Sequence, residues 1–160
     1  MPIIELTTII QAEIDVCFDL SRSIDLHCIS TTGTNERAVE GTTSGLIGMN
    51  ETVTWQATHF GIRQRLTSKI TAYERPFYFR DEQLDGAFSY IKHDHIFERA
   101  GDRTIVRDHF DYGVPYRIFG SAFDRLVLNN YLRRFLEKRN RIVKDYAESG
   151  NFRQLPGFNI

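Results

Sequence analysis

The sequence predicts an α+β fold in which a long C-terminal helix lies across a curved, seven-stranded antiparallel sheet. Three observations carry this expectation. A β-branched apolar opening is followed by two short helical patterns. Residues 34 to 113 read as successive strands separated by turn residues, and residues 117 to 148 hold apolar residues at helical spacing.

The elements follow in order. "PIIELTTII" suits a first strand, and in "QAEIDVCFDLSRS" Ile14, Cys17, Phe18 and Leu20 recur at helical spacing. Ser23 can cap a second short helix through "IDLHCIS", which the polar "TTGTN" ends. Six strands come next. Their turns are marked by Gly61 in "HFGIR", by "YERP", by "LDGA" and by "AGDR". After "GVP", the stripe Leu128, Tyr131, Leu132, Phe135, Arg139, Ile142, Val143 and Tyr146 defines the long helix. With no repeat and no linker, residues 1–150 are expected to form a single domain and residues 151–160 a polar tail.

Composition excludes several function classes. A chain of 160 residues that is 41% hydrophobic can bury a core without disulfides, so Cys17 and Cys28 are read as reduced, buried small hydrophobes, in keeping with a cytoplasmic location. No charged-then-apolar leader opens the sequence, and no apolar run approaches the ~18 residues of a membrane span. A net charge of -1 argues against a nucleic-acid binder. The basic run "RRFLEKRNR", residues 133 to 141, is read as a solvated helix face. "GTTSGLIG" spaces glycines at 41, 45 and 48 but lacks the "GK[ST]" of a phosphate loop, so it is expected to be a loop at a cavity mouth.

This order of elements resembles the START-like, or SRPBCC, superfamily and its helix-grip fold over nearly the whole chain. Locally, "TSGLIGMNETVTWQATHFG", "DEQLDGAFSYIKHDHIFE" and "RDHFDYGVP" are similar to a bacterial subgroup of ligand-binding SRPBCC proteins. The resemblance extends to polyketide cyclase/dehydrase and coenzyme Q-binding-type domains. It implies a cavity for a lipid-like or polycyclic hydrophobic ligand, and no cofactor or metal. It does not imply one chemistry, because function sits in sites grafted on a fold.

Strand alternation identifies what would line such a cavity. In "IKHDHIF" the even positions Lys92, Asp94 and Glu98 are charged, so Ile91, His93, His95 and Phe97 should face inward. On the next strand the inward set is Val106, Asp108, Phe110 and Tyr112. If "AGDR" closes the hairpin, the register pairs Phe97 with Val106, His95 with Asp108 and His93 with Phe110, and a one-residue slip would break every match. Around Gly61, Val53, Trp55, Ala57 and His59 share a face with Ile62, Gln64, Leu66 and Ser68, which places Trp55 opposite Leu66. Phe77, Phe79, Asp81 and Gln83 extend the lining. The expected ligand-binding residues are Trp55, His59, Phe79, Gln83, His93, His95, Phe97, Asp108 and Phe110.

Four uses of the histidines follow from chemistry. They can hold the sheet's polar groups together, with Asp108 as partner. They can recognise a carbonyl, hydroxyl or carboxylate on an apolar ligand. His95 backed by Asp108 can act as a catalytic acid/base pair in a cyclase or dehydratase-like enzyme. Metal ligation ranks last, because same-face positions on a strand lie roughly 7 Å apart. His27 could cap the cavity, and His109 faces outward. A partner protein or a homodimer is a further expectation, favoured by any apolar surface on the last helix.

Overall fold

The computed structural model describes residues 2–114 and 127–158. Strand β1 (Ile3–Ile10) leads into helices α1 (Ile14–Ser21) and α2 (Ile24–Ser30). Then come β2 (Arg37–Gly41), β3 (Thr52–His59), β4 (Ile62–Glu74), β5 (Tyr78–Asp85), β6 (Tyr90–Ala100), β7 (Arg103–Gly113) and the long helix α3 (Asn129–Ser149). The strands form one antiparallel sheet in the order β1-β7-β6-β5-β4-β3-β2. Pairing shifts between Ala38 and Glu40, and at two points of β4 against β5, add the extra residues that bend a sheet. α3 packs against β1, α1 and α2.

Local chemistry explains these boundaries. The Ser23 side chain accepts a hydrogen bond from the Leu26 amide at 3.1 Å and so caps α2. Phe60 and Gly61 both have positive φ, 51° and 76°, the backbone of a two-residue type I′ hairpin turn. Ala100 pairs with Arg103, so the next hairpin turns on Gly101 and Asp102 alone, a tighter loop than the sequence suggests. Gly150, at φ 79°, ends α3 in the left-handed conformation.

The predicted register holds. Phe97 pairs with Val106, His95 with Asp108, His93 with Phe110, and Trp55 with Leu66. Burial alternates as expected: Ile91, His93, His95 and Phe97 are buried, while Lys92, Ile96 and Glu98 are exposed.

Two expectations need correction, and a third falls partly outside the described residues. The first part of the expected helix, 117 to 126, lies outside the described residues, as does Pro115. The buried line of α3 is Leu136, Arg139, Asn140, Val143 and Ala147, rotated from the predicted stripe because two polar residues find partners beneath the helix. Residues 151–158 do not trail as a polar tail. Leu155 is buried, and Phe152 and Phe158 pack on the core, so three apolar residues outweigh a polar composition.

Candidate functional site

The core has two apolar clusters, one centred on Phe18 under α1 and α2, the other on Tyr112 and Ile4. A polar layer separates them. On β6, Phe97 belongs to the first and Ile91 to the second, with His95 and His93 between. β7 repeats the pattern with Val106, Asp108 and Phe110, and α3 repeats it with Val143, Asn140, Arg139 and Leu136. Four adjoining elements therefore bring their polar side chains to one level, since β1 adds Thr8 between Ile10 and Ile4.

Asp108 is the hub of that layer. Its Oδ1 accepts a hydrogen bond from His93 Nε2 at 2.9 Å, and its Oδ2 accepts one from Asn140 Nδ2 at 2.6 Å. The Arg139 guanidinium lies 3.6 Å from Oδ1 and donates to the Ser21 carbonyl at 2.8 Å and to Asn140 Oδ1 at 3.1 Å. Arg139 is thus buried, although it belongs to the run read as a solvated helix face. Its long side chain reaches a carboxylate and a backbone carbonyl that both need a donor.

His95 sits between two carboxylates. Its Nε2 is 3.0 Å from Asp81 Oδ2, and its Nδ1 is 3.1 Å from Asp108 Oδ1 but outside the direction of a hydrogen bond, so Nδ1 is buried without one. The expected His95 and Asp108 register is present, yet the Asp108 hydrogen bond goes to His93, the diagonal neighbour. The two imidazole centroids are 3.8 Å apart, because the rings lean together from positions whose backbones are farther apart. Strand spacing is therefore no bar to joint action on one atom. Phe79 stacks on His95 at 4.2 Å.

Charge follows from these contacts. Burial pushes the Asp108 carboxyl upward, but hydrogen bonding from His93 and the adjacent His95 outweighs it and holds the group well below the usual carboxylate range. Asp81 is likewise lowered, burial being outweighed by the hydrogen bond with His95 and by His93 nearby. His93 is lowered, first by burial and then by His95. An ionised Asp108 only accepts, which puts the His93 proton on Nε2.

A pH dependence results. His93 resists a proton that the unfolded chain takes up, so stability should fall as pH drops below about 6.5, the ordinary histidine value. The lowered carboxylates stabilise the fold above their ordinary pKa near 3.9, and this contribution is lost as pH falls from there through their folded values. Urea midpoints across pH 3 to 8 should show both stages, and His93→Asn should remove the upper one.

The layer opens into a cavity of about 170 Å³ between α3 and the sheet. Asp81, His93 and His95 line one part, and Trp55, Phe79, Phe88, Phe110, Leu132 and Phe135 supply apolar wall. At another part His27 lies tilted against Trp55, ring centroids 4.2 Å apart, and holds Glu36 Oε1 at 3.0 Å, while Glu36 Oε2 is buried with no hydrogen-bond partner among the described residues. His59 also lines the cavity, with Nδ1 2.6 Å from the Tyr131 hydroxyl, and burial lowers its pKa. The β3–β4 hairpin is thereby tied to α3.

Of the residues expected to bind ligand, Trp55, His59, Phe79, His93, His95 and Phe110 reach this cavity. Three stand elsewhere. Phe97 packs edge-on to Phe18 at 5.2 Å, Asp108 lies behind the histidines, and Gln83 turns its amide to the Phe88 carbonyl at 2.7 Å. His109 faces out and meets Glu5 at 3.2 Å. Among the residues that sequence reasoning did not place in the binding set, Asp81, Glu36 and Arg139 bring charge to the lining. Arg139 carried a signal, being a charged residue on an apolar helical stripe.

The comparisons with known proteins identify the fold. No protein-family model and no curated protein sequence matches this chain. Among solved structures, a START superfamily protein from Mycobacterium smegmatis superposes with a TM-score of 0.69 at 10% identity, over 92% of this chain and 97% of that one. Ara h 8.0201 gives 0.68 at 11% identity, covering 92% and 98% of the two chains. Major latex-like protein 151 from Panax ginseng gives 0.64 at 17% identity, covering 91% and 97%. The architecture is therefore the α+β helix-grip fold of START and Bet v 1-type structures. At these identities the likeness defines the fold and leaves the site to its own chemistry.

Proposed function

We propose that the protein binds a small, largely apolar molecule carrying at least one hydroxyl, held between α3 and the concave sheet. The observation that carries this reading is the cavity itself, which joins aromatic walls to a polar end built from Asp81, His93 and His95. Apolar surface supplies most of the affinity in such sites, and a few convergent polar groups fix orientation. A comparable apolar cavity of ~150 Å³ holds benzene, so the space bounded by the described residues suits one or two rings. Asp81 accepts from the ligand hydroxyl, and the free oxygen of Glu36 offers a second acceptor.

Trp55, the single tryptophan of the chain, reports directly on occupancy from the cavity wall. Hydroxylated one- and two-ring aromatics should change its fluorescence saturably. Asp81→Asn should weaken that binding about 10- to 100-fold, the worth of a hydrogen bond to a charged group. Equal affinity in the variant would remove Asp81 from recognition.

Proton transfer is a second reading, favoured by the placement of His95 between two carboxylates. If a substrate is turned over, His95→Gln and Asp108→Asn should each slow it, and full activity in either would reject it. Docking to a partner protein gains nothing from α3, which carries none of the exposed large hydrophobic residues among those described. No helix among the described residues is long and apolar enough to cross a membrane.

A further inference from the structure

We propose that Asp81, His93 and His95 form a binding site for a divalent transition-metal ion of the zinc or iron(II) kind, with Asp108 as its supporting carboxylate. The three candidate ligand atoms lie within 4.8 Å of one another, and all three residues line the cavity. Asp81 Oδ2 is 3.0 Å from His95 Nε2 and 3.9 Å from His93 Nδ1. Tetrahedral ligands about 2.0–2.1 Å from a metal stand roughly 3.3 Å apart, so the set has to draw together around an ion, His93 toward Asp81 most of all.

The side of each ring that faces away from Asp81 makes the stronger argument. His93 turns its other nitrogen to Asp108 Oδ1 at 2.9 Å, and His95 turns its other nitrogen to the same oxygen at 3.1 Å. One buried carboxylate oxygen thus stands behind both imidazoles, hydrogen-bonded to His93 and close to His95, and a carboxylate in that place fixes the tautomer and orientation of a metal-bound histidine. Asn140 and Arg139 hold that carboxylate in turn.

Without an ion the cluster is left poorly satisfied. An imidazole with one N–H serves one of the two carboxylates that flank His95, and its other nitrogen is then left close to a carboxylate oxygen without a hydrogen bond. An ion bound by His95 Nε2 and Asp81 Oδ2 converts that opposition into coordination. With Nε2 on the ion the His95 proton sits on Nδ1 instead, 3.1 Å from Asp108 Oδ1, where a small turn of the ring gives the buried Nδ1 a partner.

Two histidines and one carboxylate leave coordination positions open, and here those positions face the cavity. A ligand oxygen would complete the shell. A hydroxyl that donates to Asp81 in the metal-free protein would bind the ion through the same oxygen.

The test uses metal-free protein and Zn²⁺ or Co²⁺ alone. Wild type should take up one equivalent, and Co²⁺ should develop the visible absorption of a low-symmetry, four- or five-coordinate site. His95→Ala and Asp81→Asn should each weaken uptake at least tenfold, and Asp108→Asn should weaken it about 10- to 100-fold while keeping one equivalent. The outward His109→Asn should not change it. Circular dichroism of each variant separates lost binding from lost folding. Absence of saturable uptake by the wild type would overturn the site, and so would equal uptake by folded Asp81→Asn and His95→Ala. The Trp55 titration with organic ligand, run on metal-free protein, stands or falls separately.

Discussion

Replacing Asp108 by alanine is expected to cost about 3–5 kcal/mol of stability, the usual consequence of removing one partner from a buried charge pair. The side chain is 1% exposed and answers His93, Asn140 and Arg139 together. Its loss leaves a buried guanidinium without its nearby carboxylate and takes an acceptor from His93 and Asn140. Removing the whole charged pair is a different experiment. Asp108→Leu combined with Arg139→Met replaces the ions by apolar volume and should recover a large part of the loss. Urea denaturation of the two single variants and the double variant measures this coupling. Additive losses would mean that Arg139 and Asp108 do not depend on one another.

Phe18→Ala should be as damaging for a different reason. Phe18 is fully buried and meets Tyr73, Phe79 and Phe97 edge-on at centroid distances of 5.4, 5.3 and 5.2 Å. These contacts join α1 to the concave face of the sheet. Truncating such a residue removes its apolar burial and leaves a void that neighbours fill only in part, at a cost of about 3–5 kcal/mol. Because Phe79 also stacks on His95, the new space adjoins the polar layer. A loss below about 1 kcal/mol in denaturant would show that α1 is not anchored through this ring.

Much of the fold was legible because alternation and turn chemistry act locally. "IKHDHIF" sorts its own faces, and the two hairpins at Gly61 and Gly101 fix register for four strands. The site was less legible. Register placed His95 opposite Asp108, but whether that carboxylate bonds His95 or His93 depends on how each ring leans, which strand periodicity does not encode. Asp81 stood on a strand whose two faces are equally mixed in character, and its importance comes from the histidines of β6 beside it. Arg139 lay within a basic run, and only the packing of α3 over Asp108 and the Ser21 carbonyl explains its burial. Glu36 precedes β2 with no periodic context, so its place at the cavity wall is purely tertiary.

The polar layer also links stability to function. Groups that lie between the two core clusters are the same groups that give the cavity its polar end. A ligand or ion that satisfies Asp81 and His95 should therefore raise the melting temperature, since anything bound only by the folded state stabilises it.

Native mass spectrometry of the purified protein, followed by Trp55 fluorescence on the same sample, tests most directly the proposal that this cavity holds a small organic molecule. The expected result is a reproducible organic adduct that unfolding releases, or a saturable fluorescence change with hydroxylated aromatics if the protein is isolated empty. A bare chain mass together with unchanged Trp55 emission across such ligands would contradict it.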